Sequence, residues 1–160
     1  MKYRSKPRVA YFLVAALIWP GSNGVAAQDD YIAPFTKENI SPVRVALKDG
    51  AANGCWTNLN EVKDYTEGQL ELSGIEVTNE NAARTYLAVE VLSERMQNGA
   101  CYGNIKVSLE GWVDWKGGRA YVELFGFDSP YLRTENSNTL ILDTVKEFGS
   151  KYFATLPEGS

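Results

Sequence analysis

Histidine is absent from all 160 residues, and cysteine occurs twice, at Cys55 and Cys101. Without imidazole there is no Ser-His triad, no Cys-His dyad and no histidine metal site. The cysteines stand 46 positions apart and form no CxxC redox pair. If they are bridged, neither a thiol nucleophile nor a thiolate ligand remains. Acid–base chemistry is then left to carboxylates. Glu110, Asp114, Glu123 and Asp128 gather around one hairpin, and a carboxylate pair can hydrolyse a glycosidic bond. On a strand face open to water the same residues are ordinary solvated charges, which is the more frequent case. No loop has the spacing of a calcium hand, and the glycines at 99, 103, 117 and 118 read as turn and bulge residues, not as a phosphate cradle. No metal and no cofactor is expected.

The compartment is written at the start of the chain. Lys2, Arg4, Lys6 and Arg8 precede an apolar run from Val9 to Trp19, a break at Pro20-Gly21-Ser22, and the small residues Val25-Ala26-Ala27. This is the pattern of a secretory signal peptide, with the cut expected after Ala27. The run is shorter than the roughly 20 residues a spanning helix needs, so no membrane span is expected in the mature form. The 133 residues that remain fit one domain. They carry 12 basic and 20 acidic side chains, net −8. Such a surface repels phosphate backbones and anionic lipid, so nucleic acid is not an expected partner. A periplasmic or secreted location implies an oxidising environment, where a lone cysteine pair forms one internal disulfide. Two free thiols or a bridge between chains are the alternatives.

Residues 28–41 read as an irregular mature terminus that is mobile unless Tyr31, Ile32 and Phe35 dock on the domain. A single globular domain follows over residues 42–157. Val43, Val45 and Leu47 alternate as a strand, and Lys48 to Gly54 is turn-rich. Asn58 and Glu61 form a capping pair, and Leu59, Val62, Thr66, Leu70 and Ser73 make a helical stripe closed by Gly74. A short edge strand is expected near residues 76–78. Tyr86 to Leu92 and Ile105 to Trp115 are strands, with Asn98-Gly99 marking a turn between them. Gly117-Gly118 is the expected hairpin turn, and Arg119 to Phe127 the returning strand. Residues 128–136, with Pro130, read as a loop. Ser137 or Asn138 caps a last helix with Ile141, Val145, Phe148 and Tyr152 on its stripe.

The expected register pairs Val113 with Val122, Gly111 with Leu124 and Leu109 with Gly126 on the core side. Asp114 then faces Tyr121, Trp112 faces Glu123, Glu110 faces Phe125 and Ser108 faces Phe127 on the other side. With both helices on the aliphatic side, the uncovered side shows Tyr86, Leu92, Trp112, Tyr121, Phe125 and Phe127 between glutamates. Such a patch is a candidate surface for a protein partner or for self-association. It is also compatible with a cover supplied by residues 28–41, or with an ordinary sheet exterior.

Disulfide geometry selects the topology. Cys55 follows the first strand and Cys101 follows the second. The sulfurs come close if those strands run parallel, and lie at opposite ends if they run antiparallel. The expected fold is therefore α+β, with one right-handed βαβ crossover followed by an antiparallel meander. It has about four strands in a mixed sheet and two helices on one face. The element order from Val43 to about Leu156 resembles small bacterial envelope domains, such as the N-terminal domain of the Tol-Pal β-propeller protein and the lipopolysaccharide-transport helper lipoproteins. This chain departs from those lipoproteins in lacking a lipidation cysteine. The resemblance implies a non-catalytic, envelope-associated role. The sequence thus points to an exported binding module without catalysis. A carboxylate-dependent hydrolase of envelope glycans is one alternative. The other is a carrier of a small apolar ligand held between helices and sheet, where Gly111 and Gly126 would leave space.

Overall fold

The computed structural model describes residues 35–159 apart from 82 and 134, and at 115 the backbone only. The leader, its cut after Ala27, and Tyr31 and Ile32 lie outside the described residues. The elements are α1 (Lys37–Ile40), β1 (Val43–Ala51), α2 (Leu59–Leu72), β2 (Thr85–Arg95), β3 (Cys101–Trp115), β4 (Gly118–Arg133) and α3 (Asn138–Tyr152), ending in a 3-10 turn at Phe153–Thr155. The sheet order is β1-β2-β3-β4. β1 pairs parallel with β2, and the other two pairings are antiparallel. This is the α+β arrangement that the disulfide argument selects. Cys55 and Cys101 are bonded, with Cα atoms 5.7 Å apart.

Alternation decides what the sheet buries. Val43 and Val45 of β1, Leu87, Val89 and Val91 of β2, and Ile105, Val107 and Leu109 of β3 point to one side and are buried. α2 meets them with Val62, Thr66 and Leu70, and α3 with Ile141, Thr144, Val145 and Phe148. Each fully buried aliphatic or aromatic side chain contributes about 1.5–3 kcal/mol. That layer, closed by the disulfide, holds the fold together.

Several local expectations are corrected. Strands run further than the sequence pattern indicates. β1 continues through the turn-rich residues to Ala51 because β2 pairs with it residue by residue, as far as Ala51 with Ser93. β4 continues through Asp128 and Pro130 to Arg133, where a loop is expected. It is the outermost strand, and an edge tolerates a residue without an N–H. The expected strand near residues 76–78 is a single parallel bridge between Val43 and Val77. The Asn58 side chain does not cap α2. It accepts from Trp56 Nε1 at 3.1 Å and donates to Glu61 Oε2 at 2.8 Å. Residues 28–41 are not irregular throughout. Thr36 Oγ1 accepts from the Asn39 amide at 3.1 Å and caps α1. Ile40 enters the core, and Phe35 packs edge-on against Phe125 with ring centroids 5.7 Å apart.

The β3–β4 hairpin turns one residue earlier than expected. Lys116 and Gly117 take the two positions with positive φ, +47° and +78°, as a tight hairpin turn of the favoured hand requires. Trp115 therefore pairs with Gly118, Trp112 with Tyr121 and Gly111 with Val122. Partners move by two, so each side chain up to Glu123 keeps its expected side. At Leu109/Glu110 the register shifts, with Glu110 opposite Glu123 and Leu109 opposite Phe125. Leu124 is the extra residue of a bulge. The bulge reverses the alternation beyond it. Phe125 and Phe127 fall opposite Leu109 and Val107 on the helix side, and Gly126 falls opposite Ser108 on the open side.

Candidate functional site: the open face of the sheet

The side chains facing away from the helices form rows across the strands. From the hairpin end they run Asp114·Arg119, then Trp112·Tyr121, then Arg44·Tyr86·Glu110·Glu123. The small residues Ala46·Ala88·Ser108·Gly126 come next, followed by Lys48·Glu90·Lys106·Asp128. The last rows, at the disulfide end, are Gly50·Leu92·Asn104·Pro130 and Glu94·Tyr102·Leu132.

Of the six candidate surface residues, the structure brings three together. Trp112 and Tyr121 meet edge to face at 5.2 Å between centroids, and Tyr86 meets Tyr121 at 6.3 Å. Trp112 keeps 47% of its surface exposed and Tyr121 44%. Arg119 stands over the Trp112 ring at 5.9 Å. Leu92 shares the face but lies several rows away. Phe125 and Phe127 do not share it. Phe125 stacks on Tyr152 of α3 at 5.3 Å, and Lys151 stands over Phe127 at 5.7 Å. The sequence reading missed Tyr102 and Leu132, exposed by 42% and 64%, which join Leu92 at the disulfide end. Had residues 128–136 been read as a continuing strand, the alternation would have found Leu132.

Between the two apolar ends lies an ionic belt. Lys48 Nζ meets Glu110 Oε1 at 3.0 Å, and Lys106 Nζ meets Glu123 Oε2 at 2.6 Å. Each lysine reaches across the row of small residues to its glutamate. Ala88 and Ser108, in that row, are buried. A Cβ at Gly126 would collide with the Glu123 carboxylate. Tyr121 OH and Ser108 Oγ also donate to Glu110, at 2.8 and 2.9 Å. Partial burial pushes the Glu110 carboxyl up, but the hydrogen bonds from Tyr121, Lys48 and Ser108 and the Lys48 charge outweigh it and hold it below the usual carboxylate range. Burial and the Glu110 hydrogen bond push the Tyr121 hydroxyl well above the usual phenol range. The hydrogen bond to Glu123 raises the Lys106 ammonium despite slight burial.

This arrangement bears on the hydrolase reading. Glycoside hydrolysis needs one carboxyl still protonated at working pH. Glu110 is held ionised, Glu123 is paired with Lys106, and Asp114 lies 3.6 Å from Arg119. Asp128 accepts from Asn104 Nδ2 at 3.0 Å. The space expected for an apolar ligand is also reduced. Gly126 is not on the helix side, and a Cβ at Gly111 would already be 3.5 Å from Leu124 Cδ1. Among the described residues no group of three or more acidic or cysteine side chains is placed to hold a metal ion, and no helix is long and apolar enough to cross a membrane.

No family model matches the chain, and no curated protein matches it in sequence. Among solved structures, a PelC dodecamer from Paraburkholderia phytofirmans is similar at 15% identity over 79% of this chain and 93% of that chain, with a TM-score of 0.41. A minor lipoprotein from Acinetobacter baumannii is similar at 16% identity over 74% of this chain and 95% of its own, with a TM-score of 0.35. At these scores neither assigns the chain a fold, a family or a function.

Proposed function

We propose that this chain is an exported binding module that works through the open face of its sheet, without catalysis. The observation that carries the reading is the half-exposed Trp112–Tyr121 pair, standing on a sheet face that no described element covers. Aromatic side chains rimmed by charge are the usual anchors of protein interfaces. The leader supports export, and a disulfide with both cysteines fully buried fits an oxidising compartment. The first described residues, Phe35 to Ile40, pack on the helix side, so this part of the mature terminus is not the cover for the open face.

The test is association measured on the folded mature chain. Replacing Trp112 and Tyr121 together with Ser should lower affinity for an envelope-extract partner, or for a second copy, at least tenfold while the melting curve stays close to wild type. Unchanged association in that double variant would remove the open face as the working surface.

A further inference from the structure

The open face is not electrostatically uniform, and the division falls between its two ends. In the hairpin half every carboxylate has a cation of its own. Glu110 has Lys48, Glu123 has Lys106 and Asp114 has Arg119. In the disulfide half this is not so. Glu90 and Asp128 flank Lys106 in their row, but its ammonium forms its ion pair with Glu123, and Asp128 feels it only at longer range while accepting from Asn104. Among the described residues no ion pair joins Glu90, Glu94 or Asp128 to any cation. Glu94 accepts from Tyr102 OH at 3.2 Å, and that contact raises the phenol without neutralising the carboxylate. Around these three charges stand Leu92, Tyr102 and Leu132, all exposed.

We infer that the disulfide half of the open face is a docking site for a cationic polypeptide segment carrying aliphatic side chains. The inference rests on the reading of the open face as the working surface and names the partner's chemistry. Carboxylates without an ion-pair partner beside exposed apolar groups complement lysine or arginine alternating with leucine or valine. A second copy of this chain fits less well. The face would bring the same carboxylates against themselves, and the mature chain is net −8. Anionic lipid is disfavoured by the same charge.

The experiment uses the mature disulfide-bonded chain and three synthetic twelve-residue probes, alternating Lys/Leu, Glu/Leu and Lys/Ser, followed by amide chemical-shift mapping. The Lys/Leu probe should bind, shift the amides around Leu92, Tyr102 and Leu132, and weaken with added salt. Its affinity should fall at least tenfold in E90Q/E94Q/D128N and in L92S/L132S, and stay unchanged in E71Q/E147Q, which removes acids from the helices. Binding of the Glu/Leu probe equal to that of Lys/Leu would overturn the inference. So would full affinity in the triple variant, or a sedimentation-detected dimer that buries Leu92 and Leu132. If any probe shifts the open face regardless of its charge, the working-surface reading survives and the cationic partner does not. Shifts confined to the helices would sink both.

Discussion

The two faces of this sheet are built from the same four strands and have opposite fates. On the helix side, Leu87, Val89, Val107 and Leu109 are fully buried, and Phe125 is stacked on Tyr152. On the other side, Trp112 and Tyr121 stand half exposed above a belt of ion pairs. Residue type does not separate the two sets, since large aromatics occur in both. Phase separates them. Trp112 and Phe125 lie on neighbouring strands, and the single extra residue Leu124 places them on opposite sides. The side with helices carries the stability, and the side without them keeps its aromatic pair exposed.

That comparison can be broken by mutation, beginning where the effect is largest. Removing the disulfide with C55S/C101S should cost about 4 kcal/mol, the chain-entropy value for a loop of this length. Urea unfolding under oxidising conditions would measure it, and a loss under about 1 kcal/mol would mean that the helix layer holds without its clasp. Next, Phe125→Ala should destabilise by about 3 kcal/mol, as large-to-small changes in a packed layer do. The same melts should place Trp112→Ala within about 0.5–1 kcal/mol of wild type. Equal costs at the two positions would erase the distinction between the faces.

Smaller effects sharpen the picture within the open face. Glu110→Gln should cost about 1 kcal/mol near neutral pH, since the side chain accepts hydrogen bonds from three residues but stands at the surface. Its folded-state carboxyl lies below the ordinary value. The stabilisation is therefore fully present above the unfolded-state pKa and is lost as pH falls through the depressed folded value. Urea midpoints of wild type and variant from pH 7 down to pH 3 should converge only at the acid end. A gap that closed already near pH 6 would contradict the network. The least effect is expected from Arg119→Gln, within about 0.5 kcal/mol, because its pair with Asp114 is exposed on both sides.

Much of this fold is legible in the sequence. The buried stripes of α2 and α3 follow from periodicity, the Cys55–Cys101 bridge from a lone cysteine pair behind an export leader, and the parallel β1–β2 pairing from the reach of that bridge. What was not legible depends on pairing between strands. Leu124 carries no local mark of a bulge, so Phe125 and Phe127 were expected on the wrong side. Pro130 and Asp128 look like loop residues until the strand is known to be outermost. Tyr86, Trp112 and Tyr121 kept their side because they precede the shift. The alliance of Glu110 with Lys48, 62 positions away, leaves no trace in spacing along the chain.

The row Ala46·Ala88·Ser108·Gly126 has a consequence for the sign of the surface above it. Across this row of small side chains Lys48 and Lys106 reach Glu110 and Glu123 on the hairpin side, and neither forms an ion pair with Glu90 or Asp128. A bulky side chain at Ala88 would act as a ridge, lifting both arms and freeing their ammonium groups to swing the opposite way. The height of one row would thus set where the two ammonium groups lie, without any charge being added or removed.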